Sequence, residues 1–186
     1  MRAALGFRAH SGWAAMVAAT GTIEAPRVLD RRQIVIAGPE TPGARQPYHA
    51  AAGLPFTAAE ALVRNAVESS RALAAEAIAA AVKSLRSKGC DVAVCAVLLG
   101  SAKPLPELER ILASHALTHA AEGHMFRDAL RLGAQDSGLW VEGIQEKEFD
   151  RASLKRIDSL GRILGPPWTQ DQKYATLAAL IALTRH

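Results

Sequence analysis

Short apolar runs dominate the first part of the chain, and the third of them partly alternates with polar residues, as β-strands do. We predict strands at residues 3–9, 13–20 and 27–37. The links at residues 10–12 and 21–22 contain glycine and are long enough only for turns. These three strands should therefore form an antiparallel meander.

The next segment, residues 38–56, contains four prolines and three glycines and should not form a regular element. A loop of about 19 residues is long for a compact domain, so it is either functional or wrapped on the surface. Its polar residues are candidate ligand groups or plain surface residues: Arg45, Gln46, Tyr48 and His49.

A long helix and a buried strand follow this loop. Residues 57–88 predict an alanine-rich helix that begins with a capping box, Thr57 and Glu60, and ends at Gly89. Residues 91–99 (DVAVCAVLL) are an almost continuous apolar run. Such a run indicates a central strand that is covered on both faces.

Three helices and one strand are predicted in the remaining chain. Residues 104–134 should be helical, in one piece or in two with Ser114 as an internal N-cap. Residues 139–149 predict an amphipathic strand, and residues 150–164 a weaker helix. The last helix should open at Thr169 with a second capping box.

The order of these elements is three antiparallel strands, helix, strand, helix, strand, helix, which is characteristic of the ribonuclease H-like fold. Right-handed crossovers place the fourth strand beside the first. We therefore expect one α/β domain over residues 1–186, with a mixed five-stranded sheet of order 3-2-1-4-5 and helices on both faces.

Two segments resemble ribonuclease H-like nucleases of the Holliday-junction resolvase type. In LGFRAHSGWAAMVA, the family's glycine, apolar residue and Gly-Trp pair are matched by Gly6, Phe7, Gly12 and Trp13. The segment DQKYATLAALIAL is similar to the family's last helix, and Asp171 matches the first of its two acids. SHALTHAAEG also resembles the helix after the fourth strand. The resemblance implies the fold and a relationship to nucleases.

The acids that the resemblance implies are mostly replaced. Arg8 stands at the position of the first aspartate, and Tyr174 at that of the second acid of the last helix. Residues 99–101 (Leu-Gly-Ser) provide no acid after the fourth strand. Because two-metal phosphoryl chemistry needs several carboxylates, the family's nuclease activity is not carried over.

Polar residues interrupt the apolar stripe of the helix after Ser114. His115, His119 and Glu122 lie within about 60° of one another on a helical wheel. We expect this stripe to face the sheet, because it also holds Leu108, Ile111, Leu112, Phe126 and Leu130. Buried polar groups need partners, so one interpretation is structural: His119 and Glu122 pair with each other or with Arg8.

A second interpretation of these residues is chemical. His115, His119 and Glu122 would bind a divalent metal, or run acid–base chemistry on a phosphoester together with Asp171 or His10. Two histidines four residues apart can provide two metal ligands on one helix face. On this hypothesis His115, His119 and Glu122 are the metal ligands. The catalytic residues are these three and Asp171.

A third interpretation is anion binding without chemistry. Arg8, His10 and Lys103, with the helix N-termini near Ser114 and Thr169, would bind a phosphate or a similar group. The net charge of +4 and the pI of about 9.4 permit a nucleic-acid or phosphate-bearing partner, but there is no long basic block to demand one.

Composition limits the classes of protein to which the chain can belong. With 49% apolar and 22% charged residues, the chain should fold as a soluble globular protein. No apolar run approaches the roughly 18 residues of a membrane span, so a cytoplasmic location is expected. Cys90 and Cys95 should lie on opposite faces of a strand as reduced thiols, because side chains an odd number apart alternate.

The sequence thus leads to two functional hypotheses. The first is a non-standard phosphoester hydrolase or nuclease relative, with a rebuilt site of His115, His119, Glu122 and Asp171 and a divalent metal as cofactor. The second is a scaffold, possibly dimeric, that binds nucleic acid or protein and has lost the catalytic acids.

Overall fold

The structure, a computed structural model, describes residues 1–38, 41, 43–100 and 104–186. The strands are β1 (Arg2–His10), β2 (Trp13–Gly21), β3 (Pro26–Val35), β4 (Asp91–Leu99) and β5 (Trp140–Gln145). The helices are α1 (Pro47–Ala51), α2 (Phe56–Ser87), α3 (Leu108–Leu112), α4 (His115–Asp136), α5 (Arg151–Ser159), α6 (Gly161–Leu164) and α7 (Gln170–Arg185).

The strands form one sheet of order β3-β2-β1-β4-β5. Strand β2 pairs antiparallel with β1 and with β3, while β4 pairs parallel with β1 and with β5. The predicted mixed five-stranded sheet is therefore confirmed. The short link between β1 and β2 allows only a hairpin, and Gly12 accommodates it with a φ of 85°.

Alternation along β1 divides the molecule into two layers around the sheet. Leu5 and Phe7 face the layer of α2 and α4, where they share a core with Ile78, Phe126 and Leu130. Ala4 faces the opposite layer, which α7 covers with Leu177, Ala178 and Leu180. Each layer is an alanine-rich apolar core, so helices lie close to both faces of the sheet.

Helix α7 approaches β1 most closely at Gly6. A Cβ atom at this position would lie 1.9 Å from the carbonyl oxygen of Ala175. Glycine is therefore required here by the contact between backbones and not by an unusual dihedral angle. The close approach also places the first turn of α7 beside the end of β1.

Several predicted boundaries need correction. Residues 38–56 are not all irregular, because Pro47 opens the short helix α1. Helix α2 begins at Phe56, one residue before the predicted cap, so the capping box at Thr57 is wrong. The predicted strand 139–149 ends at Gln145 and a 3₁₀ turn follows. The capping box at Thr169 is confirmed, since its hydroxyl accepts from the N–H of Gln172.

Ser114 and Lys103 were predicted to contribute to a ligand site. Ser114 is the N-cap of α4 by position, but its side chain makes no capping hydrogen bond to any described residue. Lys103 lies outside the described residues. Within the described ranges, no helix is both long enough and apolar enough to cross a lipid bilayer.

Candidate functional site

A polar cluster lies on the α7 face of the sheet, where β1 ends. The Arg8 guanidinium makes ion pairs with Glu146, at 3.0 Å from Nη2 to Oε1, and with Asp171, at 3.3 Å from Nη1 to Oδ1. It also lies 4.7 Å from the ring centroid of Tyr174, within cation–π range. We call Arg8, His10, Glu146, Asp171 and Tyr174 the Arg8 cluster.

Three elements bring this cluster together. Arg8 follows Gly6 by two positions on β1, so its side chain points to the same face as the contact with α7. Asp171 lies in the first turn of α7, whose start the Thr169 capping box fixes. Glu146 directly follows β5, and parallel pairing through β4 carries the ends of β1 and β5 to one edge of the sheet.

The Arg8 cluster contains one permanent cation, Arg8, and two carboxylates, Asp171 and Glu146. Arg8 is about one-quarter exposed, with Asp171 at 24% and Glu146 at 47% exposure of the side chain. A guanidinium stays protonated at all ordinary pH values and offers only donors, so it cannot ligate a metal. Both carboxylates therefore face a permanently positive side chain.

His10 contacts the same carboxylate. Its Nε2 lies 3.1 Å from Oδ1 of Asp171, but the alignment is poor, and this buried nitrogen has no hydrogen-bond partner in the described part of the chain. We regard the contact as electrostatic, because a hydrogen bond needs direction as well as distance. The ring stacks on Trp13, with centroids 4.2 Å apart.

A second cluster forms where α1 covers the start of α4. Ring nitrogens of His49, His115 and His119 all lie within 4.8 Å of one another. His49 Nε2 is 3.3 Å from His115 Nδ1, and His115 Nε2 is 3.1 Å from His119 Nε2. We call these three residues the three-histidine cluster.

Glu122 supports this cluster from the interior. Its carboxylate is buried, at 3% exposure, and Oε1 accepts hydrogen bonds from the backbone N–H of His49 at 3.2 Å and from its Nδ1 at 2.9 Å. The predicted pairing of Glu122 with His119 or with Arg8 is therefore wrong. Glu122 instead joins α4 to α1 and orients the ring of His49.

The predicted burial of His115 and His119 against the sheet is also wrong, since both are exposed. Helix α4 joins the main core only from Met125 onwards. Before that point it packs against α1 and α3, and the residues that face inward there are Thr118, Ala121 and Glu122. The helical wheel grouped the residues correctly, but it could not show that the first turns of α4 extend beyond the sheet.

The two clusters are separate. Asp171 and His10 belong to the α7 face, whereas His115, His119 and Glu122 lie with α1 and α4 on the other. No described hydrogen bond or ion pair joins the two clusters, so the structure does not bring the histidines into contact with Asp171 or His10. Catalytic roles for His115, His119, Glu122 and Asp171 stay predictions.

Burial shifts the pKa values of two residues outside the clusters, Tyr48 and Arg127. Burial, with a smaller contribution from Glu122 and Asp128, raises the pKa of Tyr48, the neighbour of His49. Near the ends of β4 and β5, burial lowers the pKa of Arg127. Arg127 lines a cavity of about 210 Å³ with Arg131 and makes no ion pair with any described residue.

Two residues of these clusters were not assigned to a site from the sequence. Glu146 lies within the predicted strand of residues 139–149, where an acid at the carboxyl end of a strand parallel to its neighbour is a recognisable signal. His49 was noted as a candidate ligand group, but nothing in the local pattern connected it with His115 sixty-six positions later. Only the packing of α1 on α4 makes that connection.

Sheet order, mixed strand direction and helices on both faces define a ribonuclease H-like α/β protein. Among solved structures, the chain is similar to Thermus thermophilus RuvC in complex with a Holliday junction substrate. The TM-score is 0.60 at 10% identity, covering 97% of this chain and 91% of that one. A second Thermus thermophilus RuvC structure gives 0.57 at 10% identity, with 96% and 91% covered. The predicted fold resemblance is thus confirmed.

No protein-family model matches the sequence, and no curated protein matches it either. The likeness to RuvC therefore establishes the fold and leaves function to be argued from the clusters themselves.

Proposed function

We propose that this protein binds nucleic acid without cleaving it, using a ribonuclease H-like fold in which an arginine replaces the catalytic metal ions. The observation that carries the proposal is the position of Arg8. Its guanidinium pairs with both nearby carboxylates, Asp171 and Glu146, at the end of β1.

The Arg8 cluster is unsuited to metal-dependent hydrolysis. Two-metal phosphoryl transfer needs carboxylates that hold both cations and a metal-bound water that attacks. Here both acids already have a cationic partner, and Tyr174 adds an aromatic face rather than an oxygen ligand set. The cluster holds the end of β1, the start of α7 and the end of β5 together.

Both the charge and the fold of the protein support nucleic acid as the class of partner. The chain has a net charge of +4, and Arg127 lines a cavity near the ends of β4 and β5 together with the acids Asp128 and Glu142 and with Arg131, which pairs with Asp128. A half-buried guanidinium without a described carboxylate partner suits a phosphate oxygen. The RuvC structure to which the chain is similar was determined with a Holliday junction substrate, so branched DNA is the first probe.

The test measures binding and cleavage on one substrate. Fluorescence anisotropy with a labelled four-way junction should show affinity that falls as salt rises, because phosphate contacts release counterions. The same junction should stay intact with Mg²⁺ or Mn²⁺. Cleavage that disappears in Asp171→Asn, or failure to bind at low salt, would overturn the proposal.

Matched arginine variants locate the binding surface. Arg127→Gln should weaken junction binding and make the salt dependence less steep by about one unit. Arg162→Gln is the control, since this exposed arginine lies on α6, beside the other layer of the molecule. Equal weakening by both variants would show that only the overall charge matters.

A phosphoester hydrolase is the second proposal, and the exposed rings of the three-histidine cluster favour it. It would no longer include Asp171, which pairs with Arg8 on the other face. Hydrolysis of bis-p-nitrophenyl phosphate in the presence of Zn²⁺ or Mn²⁺ tests it, and activity must disappear in His119→Ala.

A further inference from the structure

We propose that His49, His115 and His119 form a binding site for a divalent transition metal, of which zinc fits the donors best. The proposal does not rest on nucleic-acid binding, because none of the three histidines belongs to the Arg8 cluster or lines the cavity of Arg127. Three imidazoles suit zinc, copper or nickel far better than magnesium or calcium, which prefer oxygen ligands.

The spacing of the ring nitrogens is suitable for one ion. Tetrahedral zinc with Zn–N bonds of about 2.0–2.1 Å places its ligand nitrogens about 3.3 Å apart. One ring nitrogen from each of the three histidines lies within 4.8 Å of the others. The two shortest contacts use opposite nitrogens of His115, with Nδ1 3.3 Å from His49 Nε2 and Nε2 3.1 Å from His119 Nε2. The ring of His115 must therefore turn so that one of its nitrogens points at an ion shared with the other two rings.

The helices provide the ligands in a favourable arrangement. His115 and His119 are one turn apart on α4, so both point to the same side of the helix. His49 approaches from α1, which packs directly on α4. Since His115 and His119 are exposed, the fourth coordination position is open to water or to a ligand from outside.

Glu122 provides an independent argument. Metal-bound histidines commonly donate their second ring N–H to a carboxylate, which fixes the tautomer and the ring orientation. His49 Nδ1 lies 2.9 Å from Oε1 of Glu122, and this carboxylate is almost fully buried. The Nδ1 hydrogen is therefore committed to Glu122, and Nε2 is the nitrogen that faces His115.

A structural cluster without metal is the alternative. His119 can donate to His115, His115 to His49, and His49 to Glu122, which satisfies every contact between the rings. Thr118 adds an oxygen 3.2 Å from His49 Nε2, while its own hydroxyl donates to the carbonyl of His115. A metal would replace the contacts between rings and leave the hydrogen bond to Glu122 intact.

Calorimetric titration of the untagged protein with Zn²⁺ separates these alternatives. One equivalent should bind, and His119→Ala should weaken the affinity roughly 100-fold or more, since a lost ligand costs at least as much as a lost supporting residue. His124→Ala is the matched control, because this histidine is on the same helix and pairs with Asp128 instead. It should bind like the wild type.

Two further measurements address the arrangement of the site. Glu122→Gln should keep one binding equivalent but weaken it about 10- to 100-fold, as expected for a group that orients a ligand. Co²⁺ in place of Zn²⁺ should give the intense visible absorption of tetrahedral coordination in the wild type and in His124→Ala, but not in His119→Ala. Absence of binding, or equal affinity in His119→Ala and the wild type, would overturn the proposal and leave a structural cluster.

Discussion

The guanidinium of Arg8 lies 3.3 Å from the carboxylate of Asp171, so the acid that matches the nuclease pattern is paired with a cation from its own chain. Glu146 shares the same guanidinium. Two carboxylates and one permanent cation therefore lie together where β1 meets α7. A variant that reverses the charge at position 8 can test this relationship directly.

Replacing Arg8 with aspartate should create a site for Mn²⁺. In Arg8→Asp, a new carboxylate would face Asp171 and Glu146, and three acids without a cation favour a divalent ion. We expect affinity at least tenfold above that of Arg8→Ala, which removes the guanidinium but adds no ligand. Both variants should be made with His119→Ala, so that the three-histidine cluster does not contribute to the calorimetric signal. Equal affinity of the two variants would contradict this prediction.

Substituting alanine for Gly6 should strongly destabilise the fold. The added Cβ would lie 1.9 Å from the Ala175 carbonyl oxygen, so α7 must move away from β1. Overpacking of this kind costs typically about 1–3 kcal/mol, and a clash with backbone should reach at least the upper part of that range. Urea denaturation followed by circular dichroism gives the loss.

Gly53→Ala is the control for Gly6→Ala. Gly53 has a φ of 83° but no atom within 4 Å of an added Cβ, so only backbone strain is introduced, about 1–2 kcal/mol. A Gly6→Ala variant no less stable than Gly53→Ala would contradict the prediction, because the clash with α7 would then cost no more than backbone strain.

Arg31 should contribute more to stability than its neighbour Arg32. Its guanidinium donates to the carbonyls of Leu164, Gly165 and Pro167 and lies 5.7 Å from the ring of Trp168. It thus anchors the segment before α7 to β3. Arg31→Ala should lower the free energy of unfolding by about 2 kcal/mol.

Arg32 provides the matched comparison for Arg31. It pairs with Asp30 on the exposed part of the same strand, and such pairs contribute about 0–1 kcal/mol. Chemical denaturation of Arg31→Ala and Arg32→Ala measures the difference, and equal losses would mean that the carbonyl contacts contribute nothing.

The buried thiol of Cys95 should make stability fall in alkali. Burial raises its pKa to about 12 from an ordinary value of 9.0. Between these values the unfolded chain loses the proton and the folded chain keeps it, so the unfolded state is favoured as pH rises. For one proton the slope approaches about 1.4 kcal/mol per pH unit.

The Cys95 prediction is checked by urea denaturation at pH 8, 9.5 and 10.5, in the wild type and in Cys95→Ala. The variant is expected to be less stable at pH 8, because it leaves a small cavity, but to lose less stability as pH rises. Parallel pH dependence in the two proteins would exclude a contribution from this thiol.

Much of the fold could be predicted because local signals agreed with one another. The glycine between β1 and β2 left room only for a hairpin, and the apolar run of β4 required cover on both faces. Those two features fix the centre of the sheet. By contrast, α1 was hidden in a proline-rich segment, although Pro47 at its first turn is itself a helix-starting signal.

The sites were predicted less completely because they depend on contacts between distant segments. The spacing of His115 and His119 revealed two members of a cluster, yet the third, His49, comes from α1. Arg8 pairs with Glu146 and Asp171, whereas the pattern of α4 had suggested His119 or Glu122 as its partner. Helical periodicity identifies which residues share a face, and it carries no information about what covers that face.

The opposite orientations of neighbouring side chains on β1 have a consequence for engineering. Phe7 faces the layer of α2 and α4, and Arg8 faces the layer of α7. The Arg8 cluster and the three-histidine cluster share no residue and no described contact. Substitutions at sites without shared partners usually act additively, so each cluster can be redesigned separately and a double variant should behave as the sum of its parts.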